Sequence, residues 1–327
     1  MSGQTHIRFG KAINQALNDA MADDPAVIVL GEDVAGAGGS FGVTRGLRDA
    51  YGATRVLDTP ISEATIVSMA VGAAMSGLRP VVEIMFMDFV TLAMDALVNQ
   101  AAKANFMFGG QRSVPMVLRT PHGGGLSAGP QHSQCLEAWL AHIPGLKVVC
   151  PSTPSDAYAL MRAAIRDPNP VVFVENKALY ARSETREGAW PKAEIGVAAT
   201  ARAGRDATVV SYGAMVHEAI AAADTLAASN VEVEVIDLRS LQPWDEQAVL
   251  ASLARTHRLV IAHEAVEAFG PGAEIAARMA DIGFDELDGP IVRVGAPFMP
   301  VPFARNLENA YRPSASDIVA AVHRTLE

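Results

Sequence analysis

The sequence predicts an α/β protein of two domains, on three observations. Short continuous apolar runs alternate with segments whose apolar residues recur at helical spacing, the pattern of a parallel sheet with helices on both faces. The alternation lapses once, in a polar stretch at residues 181–199, and then resumes. The 327 residues, 50% hydrophobic and 19% charged, are enough for two cores without disulfide or metal support. The boundaries read are a first domain at 1–180, a linker at 181–199 and a second domain at 200–327.

Within residues 9–22, Ile13, Ala16, Leu17, Ala20 and Met21 fall at helical spacing, and Asp24-Pro25 stops the pattern. Residues 26–30 are a continuous apolar run short enough for a strand buried on both faces. The glycine-rich stretch 36–42 lacks the full GxGxxG spacing and opens no clear helix, so it reads as a locally packed loop before a phosphate cradle. A helix at 62–76 stops at Gly77, and its Ala70, Gly72, Ala73, Ala74 and Ser76 leave so little bulk that it can lie close against another backbone. Next come a strand at 81–86, a helix at 88–105, a strand at 114–119, a glycine-rich loop at 121–130 and a short helix at 133–142. A strand at 146–150, a helix at 155–166 and a strand at 171–175 complete the first domain. The second repeats the theme, with strands at 207–211, 231–237, 259–263 and 291–294 and helices at 215–228, 245–256, 272–282 and 316–326.

Composition excludes several classes. A formal net charge of −10, with no Lys/Arg run, offers phosphates no landing surface, so no nucleic-acid partner is expected. Cys135 and Cys150 lack further Cys or His at ligand spacing, which argues against zinc and for a reducing compartment. The start Met-Ser-Gly-Gln-Thr-His has neither the basic start nor the apolar core of a signal peptide, and no run of about 20 apolar residues could span a bilayer. A cytoplasmic protein with no membrane partner is the expectation. The low charged fraction points to a surface partly covered by other subunits.

Three residues could carry chemistry, each beside a plainer alternative. Glu63 stands in the first turn of the 62–76 helix, where the helix dipole favours an acid. Its neighbours Ile61, Ile66, Val67 and Met69 argue instead for burial, and a buried carboxylate seeks a hydrogen-bond donor. Phe89 reads as a core aromatic on its own. His132 follows a glycine-rich loop, where surface and catalytic histidines both occur. His122, His132 and His142 are ten apart, an interval that does not align them on one helix face, so no metal site is read from them.

Leu30-Gly-Glu-Asp, Asp58-Thr-Pro-Ile-Ser-Glu63, Val71-Gly-Ala-Ala, Gly77-Leu-Arg-Pro80, Gln131-His-Ser-Gln134, Pro144-Gly-Leu-Lys-Val148 and the stretch from Ala164 to Pro170 occur in this order. Together they resemble the β subunit of the E1 component of 2-oxo acid dehydrogenase complexes, the family of the pyruvate, branched-chain 2-oxo acid and acetoin dehydrogenases. The resemblance continues through Val235-Ile-Asp-Leu-Arg239 and Pro243 into the stretch from Gly270 to Ile275. It implies a thiamine-enzyme pyrimidine-binding domain followed by a transketolase C-terminal-like domain that supports dimerisation and docking to E2. It further implies that thiamine diphosphate lies between an α and a β subunit, with Glu63 hydrogen-bonding N1′ of the aminopyrimidine and Phe89 stacking on it. His132 would stand at the site mouth and assist acyl transfer to lipoamide. Glu32 would lie in a passage between paired active sites. Met116, Ala164, Ile165, Asp167 and Asn169 match the family's structural potassium site. The Gly-Asp-Gly motif by which thiamine enzymes hold the diphosphate through Mg²⁺ is missing from the sequence, which implies that an E1 α subunit supplies it in an α2β2 tetramer. The implied reaction is oxidative decarboxylation of a 2-oxo acid with reductive acylation of the lipoyl domain of an E2 acyltransferase. Two alternatives stay open: an acetoin dehydrogenase β subunit, and a non-catalytic α/β scaffold subunit that would need neither Glu63 nor His132.

Overall fold

The structure, a computed structural model, describes residues 5–327, without the side chain of Thr5. The Met-Ser-Gly-Gln start, on which the signal-peptide reading rests, lies outside the described residues. The chain divides into two compact units, Met1–His122 with Trp139–Ile195, and Gly123–Ala138 with Gly196–Glu327. By contacts, residues 123–138 group with the second unit although they fall inside the 1–180 span read from the sequence. The reason is hydrogen bonding: Gly124 N donates to Glu264 Oε1 at 2.7 Å, Ser127 N to Glu308 Oε2 at 2.9 Å, and Tyr212 OH to Glu137 Oε1 at 2.8 Å.

The first unit is built on parallel strands in the order Lys147–Val149, Val171–Asn176, Val117–His122, Arg79–Glu83, Val27–Gly31 and Val56–Asp58. Val117–His122 and Val171–Asn176 are buried along their whole length, as expected of a parallel sheet covered on both faces. Helix Phe9–Asp23 packs against helix Pro154–Arg166. The second of these starts cleanly because Thr153 accepts from Asp156 N and Pro154 fills the first helical position. From Val27–Gly31 the chain moves outward to Val56–Asp58, then returns to the other side of Val27–Gly31 as Arg79–Glu83 and builds away from it. The strand order therefore reverses between Val27–Gly31 and Arg79–Glu83. In open α/β sheets the crevice at the carboxyl ends of such strands is where ligands bind.

Three expectations in this unit need correction. The 181–199 linker contains a strand, Ser183–Arg186, which pairs antiparallel with Thr5–Arg8; at four residues each, neither is long enough to show a period. The single helix at 88–105 is instead a series of turns: α at Met87–Val90, 3₁₀ at Thr91–Ala93, π at Asp95–Ala101, and α again at Ala102–Met107. The small-residue helix, observed at Glu63–Met75, packs its Ile66, Val67 and Ala70 side inward, while Ala64, Ser68, Gly72 and Ser76 are exposed. A Cβ on Gly72 would meet nothing within 4 Å, so the expected close approach to a backbone is not made among the described residues.

The second unit has parallel strands in the order Val292–Ala296, Leu259–Val266, Ala207–Ser211 and Val233–Asp237, with Ala199–Arg202 antiparallel at the edge. Side chains alternate across this sheet. Val209, Val235 and Val260 join the core under helices Met215–Ala227 and Ala315–Leu326, while Thr208 bonds Ser252 and Thr256 of helix Glu246–Thr256, each at 2.6 Å. Among the described residues no helix is long and apolar enough to cross a membrane.

Candidate functional site

The strand reversal in the first unit gathers the acidic residues the sequence singled out. Glu32 follows the end of Val27–Gly31, and Glu63 opens the helix that follows Val56–Asp58. Both are 8% exposed. Burial, then the neighbouring carboxylates of Glu63 and Asp33, push the Glu32 carboxyl above its usual 4.5, so the two glutamates sense each other. Among the described residues no hydrogen bond reaches the Glu63 carboxylate, although Glu63 is the first residue of its helix and Ser62 caps without a side-chain bond. This is a buried acid set to accept a proton donor from outside the chain. Helix Glu63–Met75 packs against Arg79–Glu83 and against the 91–101 turns that continue from Phe89. Phe89 itself is half-buried and meets Phe86 edge-on, with ring centres 5.8 Å apart at 82°.

The glycine-rich loop beside these residues is held by the protein's own carboxylates. Asp58 accepts from Ala35 N at 2.6 Å and Gly36 N at 3.2 Å, and Glu83 Oε1 accepts from Ser40 N at 3.2 Å. The amides of Ala35, Gly36 and Ser40 are thus taken up by the protein's own carboxylates.

Sequence reasoning missed the buried ion cluster beneath this loop. Arg119, 2% exposed, donates from Nη1 to Glu83 Oε2 at 2.6 Å, from Nε to Glu175 Oε1 at 2.7 Å and from Nη2 to Glu175 Oε2 at 2.8 Å. Burial lowers the Arg119 pKa and the two carboxylates more than reverse it, so the guanidinium stays charged. Burial raises the Glu175 carboxyl even against Arg119. Tyr180 OH donates to Glu175 Oε2 at 2.7 Å, and burial followed by the Glu175 charge drives its pKa well above 10.0. The available signal was a charged residue inside each of two otherwise apolar strand runs, Val117-Leu-Arg119 and Val171-Val-Phe-Val-Glu175.

His132 belongs to the second unit. Its segment is anchored by Glu264, which also accepts from Arg312 Nε at 3.0 Å, and by Phe303, whose ring lies where a Cβ on Gly129 would be, only 2.2 Å away. Gly129 has φ +76°, so glycine is required there on both counts. Gln131, Ser133 and Cys135 line a cavity of about 520 Å³ together with Glu264, Met299 and Tyr311. Burial, then Cys135 and Glu264, push the Tyr311 hydroxyl up to about 12, so Tyr311 is a neutral wall of this cavity at physiological pH. Cys135 and Cys150 are not joined in a disulfide.

The five residues matched to a potassium site come together around one turn. Asp167 ends helix Pro154–Arg166, and its N–H donates to Ala164 O at 3.2 Å. Met116 O accepts from Val171 N at 3.0 Å, and Asn169 N donates to Asp167 Oδ1 at 2.9 Å. Ile165 O accepts from Arg79 Nη1 at 3.0 Å, and Lys147 Nζ donates to Asp167 Oδ2. Carbonyl and carboxylate oxygens of the kind a hard cation takes are therefore present, with two fixed positive charges already among them.

Comparison with known proteins gives this geometry a lineage. Residues 5–183 match the transketolase pyrimidine binding domain, and residues 196–318 the transketolase C-terminal domain. The mitochondrial pyruvate dehydrogenase E1 component subunit beta-2 of Oryza sativa subsp. japonica is 45% identical over 319 residues, covering 96% of this chain and 85% of that protein. The chain belongs to the E1 β-subunit family of the 2-oxo acid dehydrogenases. This E1 β chain is equally similar to an acetoin:2,6-dichlorophenolindophenol oxidoreductase subunit beta from Cupriavidus necator, 46% identical over 327 residues, 97% of this chain and 96% of that one. Among solved structures a split gene transketolase, described as an inactive beta4 tetramer, superposes with a TM-score of 0.82 over 98% of both chains; at 23% identity it supports the fold alone. The E1 β fold is thus the two-domain α/β arrangement expected, with Glu32, Glu63 and Phe89 in the pyrimidine-type unit and His132 on a segment of the other.

Proposed function

We propose that this E1 β chain forms the pyrimidine-binding half of a thiamine diphosphate site and, with an E1 α subunit in an α2β2 assembly, oxidatively decarboxylates a 2-oxo acid and acylates the lipoyl domain of an E2 acyltransferase. The observation that carries the reading is the Glu63 carboxylate, buried, without a hydrogen bond from the described residues, and set at the strand reversal of a pyrimidine-type domain. Such a group fits the imino tautomer of an aminopyrimidine, whose ring nitrogen carries an N–H that the carboxylate can accept, and the half-buried Phe89 offers a face for stacking. Thiamine diphosphate would supply the carbon nucleophile and the sink for the electrons left when carbon dioxide departs. Glu63 would hold the proton at N1′. Glu32 would keep a second titratable carboxyl beside it. His132 would exchange a proton with the lipoyl sulfur.

The diphosphate and its Mg²⁺ are assigned to the α subunit, because no Gly-Asp-Gly occurs in this sequence. Calorimetric titration of the isolated chain with thiamine diphosphate and Mg²⁺ tests this division, with weak or no binding expected; tight binding without a partner would refute it. Pyruvate and branched-chain 2-oxo acids are the substrates proposed. Acetoin is the second reading, favoured by the relative from Cupriavidus necator that this chain spans almost end to end. Turnover of a co-expressed αβ pair on the three substrates separates them. A cytoplasmic location accompanies the reading.

A potassium ion at Met116, Ala164, Ile165, Asp167 and Asn169 is also proposed, its oxygens tying the end of helix Pro154–Arg166 to the sheet. Melting of the protein in potassium chloride against choline chloride should give a higher midpoint with potassium. Equal midpoints would show that Arg79 and Lys147 suffice to neutralise the turn.

A further inference from the structure

We propose that Arg119, acting through Glu83, Glu175 and Tyr180, is a positioning residue that sets the orientation of Phe89 along a chain of four aromatic rings and so governs how tightly the first unit holds a planar heteroaromatic ring. The inference rests on the reading of Phe89 given above and adds residues that touch no ligand.

The chain of contacts is continuous. Arg119 grips both carboxylates, Glu83 through Nη1 and Glu175 through Nε and Nη2. Glu83 accepts the Ser40 N–H through its other oxygen. A Cβ on Gly39 would come within 2.8 and 2.9 Å of the two Glu83 oxygens, and Gly39 has φ +78°, so the loop is pressed onto this carboxylate as only glycine permits. Glu175 accepts the Tyr180 hydroxyl, and the Tyr180 ring stacks on Phe41 with centres 4.7 Å apart at 21°. Phe41 is therefore fixed twice from one guanidinium, by its neighbour's backbone through Glu83 and by its own ring through Tyr180. Its edge meets Phe86 at 6.1 Å and 78°, and Phe86 in turn meets Phe89 at 5.8 Å and 82°. Lys177 Nζ lies 5.3 Å from the Phe86 ring centre, and Phe89 N donates to Phe86 O at 3.0 Å. Phe86 thus has little freedom to turn without moving Phe89.

Stability alone is a poor reason for this arrangement. A buried arginine flanked by two carboxylates is commonly matched in stability by apolar residues of the same volume. What the ions provide and apolar residues do not is direction: three short hydrogen bonds fix where each carboxylate points, and each carboxylate fixes one support of Phe41.

The test uses the chain reconstituted with an α subunit, with thiamine diphosphate and Mg²⁺ as the probe, and compares Tyr180→Leu, Tyr180→Phe, Glu83→Gln and Phe89→Leu. Tyr180→Leu, which removes the stack on Phe41, should raise the half-saturating cofactor concentration about tenfold while kcat at saturation stays within about twofold, the scale of one aromatic contact. Tyr180→Phe keeps the ring but loses its hydrogen bond to Glu175, so it should show part of that loss; a half-saturation equal to the parent's would detach the ring chain from Arg119 and overturn the inference. Amide exchange of the isolated chain gives a cofactor-free readout: Tyr180→Leu and Glu83→Gln should speed exchange at residues 39–42 and 86–90 and leave the Met215–Ala227 helix unchanged. An unaltered half-saturation in Tyr180→Leu alongside a raised one in Phe89→Leu would overturn the inference and spare the reading of Phe89. No effect of Phe89→Leu would overturn both. Faster exchange spread evenly over the first unit, with 39–42 and 86–90 not singled out, would reduce Arg119 to a stabilising residue and also overturn the proposal.

Discussion

Arg119→Met is the sharpest single test of the buried ion cluster. The substitution keeps an apolar stem of similar reach and removes three hydrogen bonds of 2.6 to 2.8 Å, leaving Glu83 and Glu175, 4% and 0% exposed, with no cation between them. Removing one partner of a buried ion pair costs about 3–5 kcal/mol, chiefly because the charge left behind is uncompensated. Here two are left behind, so the upper part of that range is expected at neutral pH. The sign of the pH dependence follows from Glu175, whose carboxyl burial already raises and which Arg119 holds down. Without Arg119 it rises further, so the folded variant binds protons at pH values where its unfolded chain has lost them. Stability then falls as pH rises above the ordinary 4.5, and the deficit against the parent grows from mildly acidic to mildly alkaline pH. Native-state hydrogen exchange of the Val117–His122 strand, measured at mildly acidic and mildly alkaline pH, reads the first unit alone and avoids treating a two-domain chain as two-state. A loss below about 1 kcal/mol, or one independent of pH, would refute the argument, since it would mean the carboxylates were never truly desolvated.

Two further substitutions address the strand-reversal cluster. Glu63→Gln should cost at least about 2 kcal/mol of transition-state stabilisation in the αβ enzyme, a fall of about 30-fold in kcat/KM, as one charge-assisted hydrogen bond is lost; near-normal turnover would remove Glu63 from its role. Glu32→Gln should raise the melting temperature at neutral pH, because its raised carboxyl is a destabilising charge above 4.5 that also opposes Glu63. The gain should shrink as pH falls toward 4.5, and a gain equal at both ends of that range would show the two carboxylates to be uncoupled.

Legibility in the sequence tracked length and burial. The long helices and apolar strands were readable because a face buried over a dozen residues imposes its period; Phe9–Asp23 and Ala315–Leu326 lie within a residue or so of the sequence reading. Four-residue strands such as Thr5–Arg8 and Ala199–Arg202 impose none, being fixed by partners far along the chain. The π turn at Asp95–Ala101 carries no proline or glycine to mark it. Glu63 and Phe89 could be singled out but not decided, because a first-turn acid and a core aromatic look alike from one dimension. The attachment of segment 123–138 was hidden for a similar reason: its glycines marked a loop, while its hydrogen bonds go to Glu264 and Glu308, more than a hundred residues away.

The carboxylates under the glycine-rich loop have a thermodynamic consequence. Ordering the backbone of a flexible loop takes about 1–2 kcal/mol per residue, and a loop that freezes only when its ligand arrives subtracts that sum from the affinity. At residues 35–41 Asp58, Glu83 and the Tyr180 ring hold the backbone and Phe41 in place through the protein's own contacts. That entropy has already been surrendered during folding. A ring that binds beside it would therefore meet a surface that need not rearrange, with no slow closure of this loop in the way.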